Sequence, residues 1–322
     1  MSSNQLYING RFLTQPITGV NRYAYERCRK MLREGTAFTL VCPHGKLSSD
    51  YDLEGMTVRR FGWGHSHFWA QLVLPWFFVF KRHATLLCLM GLAPLLIPHT
   101  VMTIHDLAFL YNPRWYSRAY YLFYRWMTPL CARHAEQIIT VSNASKQDIL
   151  TRYPFLNEHK ITVIPPEINT RFFTHAAVDR LPFVLAVASL APRKNLPRLV
   201  RAVAADPALH LKIVGGTNRV FAETGIPHAT NVEMLGRVTD NDLRHLYRTA
   251  AGFIYPSLFE GFGIPPIEAL ACGCPVAVAD IPVLHETCDP YLRQGLTVLY
   301  FDPTDETAIL SAVKRLINNI QR

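Results

Sequence analysis

Glu260 and Glu268 stand eight residues apart in Ser-Leu-Phe-Glu-Gly-Phe-Gly-Ile-Pro-Pro-Ile-Glu-Ala-Leu-Ala-Cys-Gly-Cys-Pro (257–275), and the residues between them suit an anion. Proline lacks only an N–H that the first helical turn cannot use, so the spacing predicts a helix with Pro266 at or near its first position and Glu268 in its first turn. Gly261 and Gly263 let backbone amides approach a ligand closely, which makes Gly261, Phe262, Gly263 and Ile264 the expected wall of a site whose amides and helix dipole favour phosphate oxygens. The two carboxylates cannot bind that phosphate. They would accept hydrogen bonds from hydroxyls, such as those of a sugar and a ribose. Phosphate flanked by polyols describes a nucleotide sugar.

A second cluster lies in Ala188-Ser189-Leu190-Ala191-Pro192-Arg193-Lys194-Asn195, after an apolar run that reads as a strand. Two adjacent cations at the carboxyl end of a strand would neutralise a departing diphosphate without a metal. Val-Met-Thr-Ile-His-Asp-Leu (101–107) ends another strand on His105 and Asp106. A histidine there can simply close a loop, and Asp106 could orient either the loop or the imidazole. Gly19, in Thr-Gly-Val-Asn-Arg-Tyr (18–23), precedes a helix whose first amides could reach a diphosphate. Asp240-Asn241-Asp242 has the form of a metal-binding Asp-x-Asp. It opens a helix, however, where Thr239 or Asp240 serves as N-cap, so no metal is expected.

Taken with Val-Ala-Val-Ala-Asp-Ile-Pro-Val-Leu-His-Glu (276–286), segment 257–275 resembles the signature of glycosyltransferase family 4, the retaining nucleotide-sugar transferases of GT-B fold. The shared features are the two glutamates, both glycines of Glu-Gly-Phe-Gly, and a helix ending in Cys-Gly-Cys-Pro before a strand. The resemblance covers nearly the whole chain. It implies that Lys194, with Arg193 beside it, contacts the donor phosphates; many relatives carry a Gly and a third basic residue just upstream, where this chain has Ala188 and Ser189. It also implies that His105 sits against the transferred sugar and that Gly19 belongs to the family's glycine loop. The loop holding Gly215 would line the donor site, and backbone around Arg237 and Val238 would contact the base.

The implied reaction has no enzyme nucleophile. The sugar becomes oxocarbenium-like as the nucleotide leaves, the acceptor enters on the same face, and the departing phosphate takes its proton. Glu260 would hold sugar hydroxyls and Glu268 the ribose. The Pro-Arg-Lys-Asn element and compact length are similar to bacterial O-antigen and exopolysaccharide transferases, which implies GDP-mannose as co-substrate, no other cofactor, and a glycan or lipid-linked glycan acceptor. A UDP-sugar or dTDP-rhamnose donor, a sugar-nucleotide epimerase, and a non-catalytic nucleotide-sugar or glycan-binding subunit are the alternatives.

The elements that must position these residues alternate between short β-branched runs and longer amphipathic stretches, as in βα units on parallel sheets. Strands are expected at 6–8, 38–42, 57–61, 85–89, 101–104, 137–141 and 161–164, then at 183–188, 209–214, 232–235, 252–255, 275–279 and 297–300. Helices are expected at 21–34, 116–134, 144–153, 196–205, 240–249, 266–271 and 305–320. A proline-bounded stretch, 165–182, reads as a linker. The 322 residues thus suit two doubly wound, Rossmann-like α/β domains facing each other across a cleft, an acceptor-side domain at 1–170 and a donor-binding domain at 171–322, with the last helix free to pack back on the first.

The net charge of +9 is concentrated in residues 1–170, which hold 18 Lys+Arg against 10 Asp+Glu. A basic face can serve nucleic acid, an anionic membrane surface or a phosphorylated acceptor, and no nucleic-acid partner is expected. Residues 111–127 interleave Arg114, Arg118 and Arg125 with eight aromatic side chains, a pattern for a headgroup interface or for an ordinary core-facing helix. Seven irregularly spaced cysteines argue for a reducing compartment. The first ten residues lack the basic and apolar regions of a signal peptide, and the apolar stretch 68–98 is broken by Lys81, Arg82 and His83 into pieces too short to span a bilayer. A cytoplasmic protein, peripheral on the inner face of the membrane, is the expectation.

Overall fold

The computed structural model describes residues 5–81, 83–168, 179–216 and 225–319. Its contacts divide the chain into two compact units, 1–107 with 122–167, and 108–121 with 168–322.

The first unit is built on a parallel sheet of β1 (Leu6–Asn9), β2 (Thr39–Cys42), β3 (Thr57–Arg60), β4 (Thr85–Cys88), β5 (Thr100–Thr103), β6 (Gln137–Thr140) and β7 (Ile161–Val163). Their spatial order is β3-β2-β1-β4-β5-β6-β7. The second unit carries β8 (Leu181–Val187), β9 (Leu211–Val214), β10 (Val232–Gly236), β11 (Ala250–Tyr255), β12 (Val276–Ala279) and β13 (Val298–Phe301), in the order β10-β9-β8-β11-β12-β13. Both are doubly wound: strand order reverses between β1 and β4, and again between β8 and β11. In open α/β sheets, ligands bind beyond the carboxyl ends of the strands at such reversals. The loops after β8 and β11 carry Arg193, Lys194 and Glu260.

All thirteen strands fall within two residues of their expected ends. The run 161–163 precedes the linker, of which 169–178 lies outside the described residues. The last helix, Glu306–Asn318, packs inside the second unit: Ile309, Val313 and Leu316 join Val184, Ala186, Ile213 and Ile254 in one buried cluster. Gly252 on β11 permits the approach, since a Cβ there would meet Leu316 at 2.6 Å. Among the described residues, the two longest helical runs beyond those expected are these. Residues 66–78 run as α (Ser66–Phe68), π (Trp69–Val73) and α (Leu74–Phe78), and Pro282–Leu292 forms a helix after β12.

Within the first unit, Arg11 is buried and its Nη1 lies 3.4 Å from His67 Nδ1, while His67 Nε2 lies 2.8 Å from the Tyr124 hydroxyl. Burial, reinforced by Arg11, lowers the His67 pKa from 6.5 to about 4. Because the unfolded chain binds this proton more readily, His67 contributes full stability above pH 6.5 and loses it as pH falls toward 4. The slope is about 1.4 kcal/mol per pH unit, or about 3 kcal/mol in all. Urea unfolding between pH 7 and 4.5 should lose stability more steeply in the wild type than in His67→Asn, the difference in slope being His67's share. Equal slopes in the two proteins would remove His67 from the account.

Candidate functional site

At the β8–β11 reversal, the loop after β8 makes a 3-10 turn, Pro192–Lys194, and ends on Asn195 in the left-handed region (φ 59°, ψ 23°). Asparagine tolerates this conformation better than most residues, and its surroundings here over-determine it. The Asn195 amide donates to the carbonyls of Pro256 (3.1 Å) and Pro303 (2.7 Å), while Leu258 N donates to Arg193 O (2.8 Å). The β8 loop is thereby stapled to those after β11 and β13.

The staple brings together residues about 66 apart in sequence. Arg193 Nη1 donates to Glu260 Oε2 (2.8 Å) and to Phe259 O (2.9 Å). Lys194 Nζ donates to Glu260 Oε1 and to the Tyr255 hydroxyl, the latter at 2.7 Å. Lys194 and Glu260 are each only 8% exposed. Burial alone would push the Glu260 carboxyl up, but Lys194 and Arg193 outweigh it and hold the pKa at about 2. Burial and the Glu260 charge push the Tyr255 phenol well up, so it stays protonated. Two cations and one carboxylate leave the buried cluster with an excess of one positive charge, which favours an incoming anion.

The helix after Glu260 is Ile264–Ala271, and it begins two residues earlier than the prolines suggested. Gly263 is its N-cap in the left-handed region (φ 90°), where a side chain is strained and a Cβ would also lie 2.7 Å from Leu284. Pro265 and Pro266 occupy the second and third positions, where both missing N–H groups are harmless. Glu268 therefore lies in the second turn, not the first. The amides this helix start can offer are those of Gly263 and Ile264. Glu268 is buried and accepts a hydrogen bond from the Tyr247 hydroxyl at 3.3 Å.

The ends of β8, β9 and β10 are laced together. Ala188 N donates to Val214 O (2.9 Å), Leu190 N to Gly216 O (3.2 Å), and Gly215 N to Gly236 O (2.8 Å). Gly215 (φ +149°) presses so closely on the β8 loop that a Cβ would sit 1.7 Å from Ala188 O. The Arg237 side chain passes over Gly216, with Nε 3.6 Å from a Cβ built there, and Val238 beside it is half-buried. Thr239 caps the next helix, Asp240–Thr249, accepting from Asp242 N at 3.2 Å, which accounts for the Asp-x-Asp spacing.

His105 and Gly19 belong to the first unit. The His105 ring stands edge-on to Tyr23 (4.8 Å) in the helix Gly19–Arg33, so the structure brings the histidine to the start of that helix. Its Nε2 lies 2.9 Å from Leu89 O, an acceptor, which places the proton on Nε2 and the lone pair on Nδ1. Burial lowers its pKa despite Leu89 and Asp106, so the ring is neutral at pH 7. Gly19 is exposed at the first helical position, with open space where a Cβ would be. Sequence patterns did not single out Tyr255, Asn195 or Phe259. The Asn before Leu-Pro was a detectable turn signal, whereas Tyr255 passed as one more apolar residue of a strand. Phe259 packs against Tyr111 at 5.1 Å.

A doubly wound pair with a cation–carboxylate cluster at a sheet reversal is the framework of a GT-B glycosyltransferase. Solved structures of low identity share the fold: sucrose-phosphate synthase from Thermosynechococcus elongatus (TM-score 0.73, 17% identity, 99% of this chain and 91% of that one) and WaaG, a glycosyltransferase involved in lipopolysaccharide biosynthesis (0.69, 13%, 97% and 90%). The family model for glycosyltransferase family 4 matches residues 17–172, and that for glycosyl transferases group 1 matches residues 167–322. The chain belongs to glycosyltransferase family 4. It is 32% identical over 229 residues to the O-antigen chain mannosyltransferase RfbU of Salmonella typhimurium, covering 69% of this chain and 62% of RfbU. It is 28% identical over 221 residues to the MMP alpha-(1->4)-mannosyltransferase of Mycolicibacterium hassiacum, covering 64% and 52%. The matches thus span less than two thirds of these relatives' own length.

Proposed function

We propose that the protein is a retaining, metal-independent hexosyltransferase that moves mannose from GDP-mannose onto a growing, lipid-linked cell-surface polysaccharide. The observation that carries this is the buried, net-positive cluster of Arg193, Lys194 and Glu260, followed in the chain by the helix start at Gly263 and Ile264. Fixed cations of this kind stabilise the charge of a departing nucleotide at no reorganisation cost. Lys194 and Arg193 take the diphosphate. Glu260 aligns both cations and offers its remaining lone pairs to the sugar hydroxyls, while Glu268 takes the ribose. Gly215, Arg237 and Val238 line the nucleotide. In the first unit, His105 presents its Nδ1 lone pair to a sugar hydroxyl, and Gly19 its helix amides to phosphate. The names of the relatives favour mannose.

We place the protein on the cytoplasmic side. Its seven cysteines are buried free thiols, and no helix among the described residues is long and apolar enough to cross a membrane.

Thermal unfolding with GDP, UDP or dTDP tests the donor. Ligand at a hundred times its Kd adds about 2.7 kcal/mol. GDP is expected to stabilise most, and GDP-mannose to release mannose slowly without acceptor and without loss of rate in a chelator. Selective stabilisation by UDP or dTDP would replace the donor. Binding without turnover would favour the non-catalytic subunit.

A further inference from the structure

A cation that the transfer chemistry leaves unused sits at the sheet reversal of the first unit. Arg11 lies in the 3-10 turn Gly10–Thr14 that follows β1, beside the β1–β4 reversal where an open α/β sheet takes its ligand, and it is only 8% exposed. A guanidinium carries five N–H donors. Among the described residues the Arg11 side chain makes one hydrogen bond, the long one from Nη1 to His67 Nδ1, and its Nε is buried with no acceptor. Besides His67, the ionisable groups that act on it are the Tyr124 phenol and the Cys88 thiol, neither of them a carboxylate. Arginines that brace a fold look different: Arg180 in the second unit donates to the carbonyls of Arg248, Ala250 and Gly273. A buried charge without a counter-ion costs stability, and an anion bound to it offsets that cost.

Sheet order indicates whose anion this is. β4 stands between β1 and β5, and its carboxyl end serves both neighbours: Leu89 O accepts from His105, while Cys88 lies beside Arg11. Two strand spacings, about 10 Å, therefore separate the backbone stems of Arg11 and His105, a distance that one acceptor molecule can bridge. His67 keeps the guanidinium in place without adding charge. With Nδ1 accepting from Arg11 and Nε2–H donating to the Tyr124 hydroxyl, its ring is neutral.

We propose that Arg11 is an anion-binding residue for the acceptor: its remaining donors take a phosphate or carboxylate carried by the glycan, while the hydroxyl that receives the sugar lies at His105. The planar fork suits two oxygens of one such group. That the anion belongs to the acceptor rests on the transfer reading, whereas the anion site itself does not.

The test is a magnetic-resonance titration of the full chain labelled at histidine, with the His67 ring signal assigned by its loss in His67→Asn. Inorganic phosphate and glucuronate are added separately at constant ionic strength, with sodium chloride as the control. The His67 signal is expected to shift saturably with at least one of the two and not with chloride; phosphate alone identifies a phosphorylated acceptor, glucuronate alone an acidic sugar. In Arg11→Met the affinity should fall at least about tenfold. Its thermal midpoint should stay at or above that of the wild type, because the variant removes a buried charge that no carboxylate balances. No saturable shift in the wild type, an undiminished one in Arg11→Met, or a midpoint well below wild type in that variant, as loss of a bracing arginine would give, overturns the proposal. So does a shift with GDP but with neither phosphate nor glucuronate, which would give Arg11 to the donor. Failure of the transfer reading would show instead as no sugar release from any donor, with the His67 response intact.

Discussion

Lys194→Ala is expected to lower sugar transfer by at least about a hundredfold, the scale on which one preorganised charge-stabilising donor counts. The ammonium is fixed before any donor arrives, bonded to Glu260 and to the Tyr255 hydroxyl and only 8% exposed. Its removal takes the cluster from an excess of one positive charge to neutrality, and Arg193 remains committed to Glu260. Because charge on the departing phosphate grows toward the transition state, the deficit should fall mainly on kcat, with a smaller rise in the KM for donor. Lys194→Arg should recover little, since a planar guanidinium does not fit a slot shaped around a point charge. Near-normal turnover in Lys194→Ala would sink the phosphate assignment.

How much of this was legible in the chain depended on whether the physics was local. The strands could be read because short β-branched runs between turn signals have few alternative structures. The helical run 66–78 could not. Its positions are apolar on the buried and the exposed face alike, so no period of 3.6 emerges. Pro282–Leu292 was hidden for another reason: it opens on proline and carries Pro290 near its end. The start of Ile264–Ala271 was displaced because the prolines advertised themselves while the cap at Gly263 depended on a left-handed φ and on Leu284. In the site, residue types were legible and partnerships were not. Arg193, Lys194 and Glu260 were each identified, but their pairing requires β8 to lie beside β11, a fact of sheet order with no local sequence signal. Two glutamates that looked alike in sequence consequently separate. Glu260 belongs to the cations, and Glu268 lies against Tyr247.

That separation underlies the second large effect. Glu260→Gln is expected to destabilise the ligand-free protein by about 3–5 kcal/mol, because losing one partner of a buried ion pair leaves its cations uncompensated. Transfer should fall by about a thousandfold, since the loss of alignment reaches Arg193 and Lys194 together. If Glu260 only held sugar hydroxyls, the KM for donor would rise while ligand-free unfolding stayed at its wild-type midpoint. The two roles are thus told apart without substrate. In the wild type, the carboxylate's contribution is complete above its ordinary pKa of 4.5 and is lost as pH falls toward 2, a window below that of His67. A double-mutant cycle completes the argument. Glu260→Gln/Lys194→Met removes the carboxylate and one of its two cations, so stability should recover relative to Glu260→Gln alone, while transfer stays as low as in Lys194→Ala. The double variant keeps the wild type's net charge of one through Arg193 alone, so stability can recover; activity cannot, because the departing phosphate needs the preorganised ammonium of Lys194 and the alignment that Glu260 gives Arg193.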